Sequence, residues 1–151
     1  MNRDKQMEKD RYDGRARIQI EKGSALMADE LLGAHAVSLP LRAPYLYYEQ
    51  QLRKHIKSGD KVLEVGCGTG LHTGILLKCG AWVTATDISP HALEVLQQRY
   101  GNPDKLNTKV LDMEHLSFIS DVFDAVVSAG SLSYGDNHRV MEEIFKVLKP
   151  G

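Results

Sequence analysis

Apolar positions along this chain change rhythm near residue 60. Ahead of that point, residues 1–17 mix charges of both signs without a helical or strand period, which predicts an arm or a loosely held helix. Two segments with helical spacing follow, residues 24–35 and 41–56. In the second, Leu46, Gln50 and Arg53 alternate with Tyr45, Tyr48, Leu52 and Ile56. The Ser58-Gly59-Asp60 turn closes this N-terminal helical cap, residues 1–58, and opens a core of residues 59–151.

Beyond the turn, short runs of strand formers take turns with helical patterns. Residues 61–65, 82–86, 108–111 and 123–128 predict four strands. Helices are predicted over residues 69–78, from Ser89-Pro90 to Tyr100, and over residues 139–148. The boundaries carry their own chemistry. Gly80 suits the left-handed residue that ends a helix, Ser89 can cap the next one with Pro90 at its first turn, and Gly101-Asn102-Pro103 stops it. Alternation of this kind predicts an α/β domain with a doubly wound, Rossmann-like and mostly parallel sheet. The last helix runs into Leu148-Lys149-Pro150-Gly151, a stop that ordinarily introduces another strand. The C-terminal strands of such a sheet are therefore expected to be missing from this chain, which would leave the fourth strand as an edge open to self-association.

Composition adds limits. With 151 residues, 19 Lys plus Arg against 20 Asp plus Glu and 42% hydrophobic residues, the chain has the balance of one globular domain. A net charge of -1 offers no general attraction for a nucleic-acid backbone. No apolar run is long enough for a membrane span and no signal-like stretch opens the chain, so a cytoplasmic location is expected. The two cysteines, Cys67 and Cys79, and the six histidines lack zinc-site spacing, and no metal is expected.

The candidate chemistry lies at the ends of the predicted strands. Gly66, Gly68 and Gly70 join the first strand to the first core helix, where backbone amides can approach a ligand closely. Their spacing is not the G-x-G-x-x-G of dinucleotide folds, since Leu71 stands where the third glycine of that pattern would be. Glu64, two residues before the first glycine, would repel a pyrophosphate and attract an ammonium group. Asp87 closes the second strand, where a carboxylate can accept from a ribose diol, and Asp112 closes the third, where it can accept from an exocyclic amine. Cys67 reads as a small buried residue, and His72 as structural or solvated.

These residues, in this order, resemble the class I S-adenosylmethionine-dependent methyltransferases of small molecules, the type 11/12-like group. The resemblance spans residues 61–151. It rests on the loop Glu64-Val65-Gly66-Cys67-Gly68-Thr69-Gly70, on Thr86-Asp87-Ile88-Ser89, on Asp112-Met113-Glu114, on residues 123–128 and on residues 145–151. It implies S-adenosylmethionine as cofactor. By that resemblance Gly66, Cys67, Gly68, Thr69 and Gly70 hold the methionine moiety with Glu64 near its amino group. Asp87 binds the ribose hydroxyls, Ile88 and Met113 sandwich the adenine, Asp112 accepts from its amine, and Ser128 lies near the sulfonium. Tyr12 resembles an N-terminal tyrosine that closes over the cofactor in some relatives. The implied reaction is methyl transfer to a small-molecule acceptor, with no nucleic acid or membrane involved. A catalytic residue is not identified. Tyr134 and His138 are the candidates for a general base should the acceptor be a hydroxyl. Two other readings stay open, a non-catalytic domain that works by association and an NAD-dependent oxidoreductase or epimerase.

Overall fold

The computed structural model describes residues 3–21 and 38–151; the helix expected over residues 24–35 lies outside the described residues. Its elements are α1 (Arg3–Glu21), α2 (Leu39–His55), β1 (Lys61–Val65), α3 (Thr73–Lys78), β2 (Trp82–Asp87), α4 (Pro90–Tyr100), β3 (Leu106–Val110), β4 (Ala125–Val127) and α5 (Asn137–Val147), with a short 3-10 turn at Leu132–Tyr134 before α5. The four strands form one parallel sheet in the order β3-β2-β1-β4. The α/β class and the parallel doubly wound sheet are therefore as expected.

The central strand explains the two-sided core. Val62, Leu63 and Val65 of β1 are all buried, as a strand covered on both faces requires. On one face Val62 packs with Leu76, Val83, Leu93 and Leu96 and with Leu52 and Ile56 at the end of α2. On the other, Leu63 and Val65 pack with Leu116, Phe123, Val140, Ile144 and Val147, which places α5 opposite α3 and α4. The order of β2, β1 and β4 makes the crevice outside the carboxyl ends of β1 and β4 the switch point where such sheets bind ligands.

Boundaries moved for identifiable reasons. The helix expected from Thr69 starts at Thr73, because residues 69–72 continue the glycine-loop turns. The fourth strand is shorter than residues 123–128. Asp124 accepts from the Lys61 amide at 2.8 Å, while Phe123 turns to the other side and makes a parallel bridge with Leu148, whose neighbour Lys149 donates its amide to the Phe123 carbonyl at 2.9 Å. The residues after α5 thus begin a pairing on the side of β4 away from β1. Gly80 has φ +82° at the end of α3, and the Ser89 hydroxyl accepts from the Ala92 amide at 3.0 Å, so both capping expectations hold.

The N-terminal segment differs most. Residues 3–21 form one helix docked on α4, with Ala16 and Val95 fully buried against each other and Ile20 beside them. Polar ties replace the missing apolar stripe. The Asp13 carboxylate is buried, accepts from the Ser89 hydroxyl and from Lys9 Nζ, and lies 3.3 Å from His91 Nδ1. The loosely held helix, one of the two expectations for this segment, is thus a docked one, fixed through one alanine and a carboxylate and not through an apolar stripe. No helix among the described residues is long and apolar enough to cross a membrane.

Candidate functional site

The glycine loop begins where β1 ends. Gly66 has φ +65° and Gly68 φ +54°, a region that side-chain-bearing residues rarely adopt. The two glycines serve different purposes. A Cβ on Gly66 would sit 2.2 Å from Ser131 Oγ, a hydroxyl that donates to the Val65 carbonyl at 3.0 Å and lies 2.6 Å from Ser128 Oγ. Gly66 therefore lets the turn after β4 close against β1. A Cβ on Gly68 would meet nothing within 4 Å, so at that point the loop faces open space. Gly70 packs inward instead, against Leu96 and Tyr100, and its carbonyl accepts from the Tyr100 hydroxyl at 2.7 Å.

Three carboxylates surround one cavity of about 350 Å³ at the carboxyl ends of the strands. Glu64 is only 3% exposed, and the Thr73 hydroxyl donates to it at 2.6 Å. Burial raises its pKa to about 7; the Thr73 bond opposes that rise and the nearby Asp87 charge adds to it. Asp87 accepts from the Gly68 amide at 2.8 Å and from the Ser89 amide at 2.9 Å, which ties the glycine loop to the start of α4. Burial pushes its carboxyl up, and those amides hold the charged form back against it. For Asp112 burial again works upward, but the Lys5 ammonium, 2.9 and 2.8 Å from its two oxygens, brings it below the usual carboxylate range. The same ammonium lies 2.7 Å from Glu114, so Lys5 fastens α1 to the segment after β3.

Most of the expected residues meet at this cavity. Tyr12, Glu64, Gly66, Cys67, Gly68, Thr69, Asp87, Ile88, Asp112 and Met113 all line it. Gly70 and Ser128 do not, being turned to Tyr100 and to Ser131 respectively. Tyr12 and Tyr134 meet edge to face across it, hydroxyl to hydroxyl at 3.3 Å. His138 lies outside, highly exposed beside Glu142 on α5. Burial raises the Cys67 thiol well above its ordinary range, as suits an inert side chain. Lys5, Arg15, Tyr45, His72 and Ser131 also line the cavity. Lys5 and Arg15 sit in a helix rich in charges of both signs and Ser131 follows the small residues Ser128-Ala129-Gly130, so no pattern distinguishes them from solvated positions.

The donor set defines the ligand that fits. Carboxylates at the ends of three adjacent strands favour a molecule with an ammonium group, a diol and an exocyclic amine, and disfavour a pyrophosphate. Open space over Gly68 leaves room for it. Comparison with known proteins agrees. Residues 62–151 match the family model described as a methyltransferase domain. Methyltransferase GfsG of Streptomyces halstedii is 36% identical over 104 residues, covering 66% of this chain and 37% of that relative. The methyltransferase solved in complex with the Haloferax volcanii Trm112 methyltransferase activator superposes with a TM-score of 0.67 at 23% identity, over 93% of this chain and 56% of that one. Geranyl diphosphate C-methyltransferase of Streptomyces coelicolor, solved with S-adenosyl-L-homocysteine, superposes with a TM-score of 0.64 at 22% identity, over 74% of this chain and 44% of that one. The chain thus spans well under half the length of the curated relative it matches.

Proposed function

Given that the chain belongs to the methyltransferase-domain family, whose cofactor is S-adenosylmethionine, we propose that its cavity binds that cofactor for methyl transfer to a small-molecule acceptor. The observation that carries this reading is the convergence of Glu64, Asp87 and Asp112 on one cavity at three strand ends. When bound, S-adenosylmethionine supplies an electrophilic methyl group on a sulfonium with a neutral leaving group. The chain's own part is alignment and exclusion of water.

In this reading Glu64 receives the amino group, Asp87 the ribose hydroxyls and Asp112 the adenine amine, while Ile88 and Met113 cover the ring. Each carboxylate oxygen can accept more than one hydrogen bond, so the amides already held by Asp87 do not use up its capacity. Of the N-terminal region, residues 1–58, the described helix α1 acts as a cap over the 59–151 core. That division is supported by α1, which contributes Lys5, Tyr12 and Arg15 to the cavity wall. A small-molecule acceptor is favoured by the Streptomyces C-methyltransferase, which was solved with geranyl diphosphate. A protein partner enters as a second kind of interaction because one structural neighbour was solved with an activator protein. Self-association through α5 is supported by Met141 and Phe145, one turn apart on that helix and respectively 54% and 83% exposed. Sedimentation velocity should then give a dimer that Phe145→Glu converts to a monomer; a monomer for the unaltered chain removes that contact.

The cofactor assignment is tested by calorimetry. S-adenosylhomocysteine should bind with one site per chain, and at about a hundredfold excess over its Kd it should stabilise the fold by roughly 2.7 kcal/mol. NAD+ should not bind. Binding of NAD+ without binding of S-adenosylhomocysteine would transfer the cavity to the oxidoreductase reading.

A further inference from the structure

One buried titratable side chain on the cavity wall, backed by a buried carboxylate, has no part in holding the cofactor as assigned above. His72, at the head of α3, is 5% exposed and lines the cavity. The Tyr45 ring stacks on it with centroids 5.2 Å apart and planes 11° apart, and the Tyr48 ring meets it edge-on at the same distance. Its Nδ1 lies 3.6 Å from Oε1 of Glu49, itself a buried carboxylate of α2, and makes no hydrogen bond. With Nδ1 turned to Glu49, Nε2 is the nitrogen left to meet a ligand. An imidazole kept there without a full set of partners costs stability that a phenylalanine or leucine would not.

Resting on the cofactor reading, we infer that His72, with the Glu49 carboxylate on its Nδ1 side, takes the proton from the hydroxyl of a methyl acceptor. A carboxylate charge near one imidazole nitrogen stabilises the imidazolium formed when the other takes a proton. As the acceptor oxygen bonds to the methyl carbon, its O–H proton passes to His72 Nε2. The carbon–sulfur bond breaks with its electron pair on sulfur, leaving the neutral thioether, and the imidazolium later releases its proton to solvent. Burial lowers the basicity of His72 while Glu49 works against that effect. The titratable groups around it are Glu49, Tyr45 and Tyr48 from α2, with Glu64 and Cys67 sharing the cavity; Arg53 lies 3.8 Å from the other oxygen of Glu49. The two bases anticipated earlier are worse placed, since His138 lies outside the cavity and the Tyr134 hydroxyl is engaged with Tyr12.

The test uses 4-nitrophenol, whose anion is coloured, added to the chain loaded with S-adenosylhomocysteine at a pH below the probe's own pKa. Pairing of the bound phenolate with the His72 imidazolium should raise the coloured fraction severalfold above that of the free probe at the same pH. His72→Gln should abolish the increase and leave S-adenosylhomocysteine affinity within about twofold in calorimetry. Glu49→Gln should reduce the increase and move the imidazole nitrogen signals of His72 in NMR, a change that a purely packing role for Glu49 would not produce. No coloured increase in the unaltered, loaded chain overturns the inference, as does an increase that survives in His72→Gln. A tenfold loss of S-adenosylhomocysteine affinity in that variant also overturns it, by giving His72 to the cofactor. Failure of the unaltered chain to bind S-adenosylhomocysteine is a different result, and it removes the cofactor reading itself.

Discussion

Asp87→Ala should weaken S-adenosylhomocysteine binding by about 1.5–3 kcal/mol, roughly ten- to a hundredfold, and lower the melting temperature of the free chain as well. Two separate losses are expected because the carboxylate has two tasks. Toward the ligand it is the charged acceptor for the ribose hydroxyls. Toward the chain it accepts from the Gly68 and Ser89 amides, joining the glycine loop to the first turn of α4. Alanine leaves both amides without that acceptor, at a cost of about 1–3 kcal/mol for a buried donor left unpaired. Asp87→Asn separates the two tasks. Its one remaining oxygen can keep an amide, but its NH2 group faces a second donor, so stability should recover only in part while ribose recognition stays weak. Titration calorimetry and thermal melts of both variants check this. A lowered melting temperature with unchanged affinity would make Asp87 a purely structural tie.

How much of this was legible in the sequence depends on the distance over which each interaction acts. Strands β1 and β2, the Ser89 cap and the Gly80 stop were readable because their causes lie within a few residues, in strand-former runs and cap chemistry. Glu64, Asp87 and Asp112 could be placed together because a parallel sheet brings successive strand ends to one edge, whatever fills the space between. The docking of α1 was not readable. It depends on Lys5 reaching Asp112, 107 positions away, and on Asp13 reaching Ser89, 76 positions away, and nothing in residues 3–21 marks those two charges apart from their neighbours. Ser131 was missed for a similar reason, since its place is set by the absence of a side chain on Gly66. His72 was read as structural because its sequence neighbours give it no partner; Glu49 and Tyr45 come from α2, well upstream.

Glu64→Gln should make the free chain more stable and the cofactor site poorer. Glu64 is fully enclosed, with the Thr73 hydroxyl donating to it and the Asp87 charge nearby, and burial raises its pKa to about 7 from 4.5. Because the folded state holds this proton more tightly than the unfolded chain does, stability contributed at low pH is lost as pH rises from about 4.5 through about 7. The full loss is on the order of 3 kcal/mol. Glutamine carries no charge to bury and can still accept from Thr73. Melting curves of the variant and the unaltered chain should therefore nearly coincide around pH 5 and diverge by pH 8, with the variant higher by roughly 5–10 °C for a domain of this size. Ligand binding should run the other way. An ammonium group at Glu64 favours the carboxylate, so S-adenosylhomocysteine should displace a proton when it binds near pH 6. Calorimetry in two buffers of different ionisation heat reads that proton directly. The variant should release none at this position and should bind about tenfold or more weakly. Equal stability at both pH values would mean that Glu64 is not carrying a buried charge in the free chain, and equal affinity would mean that no ammonium group meets it.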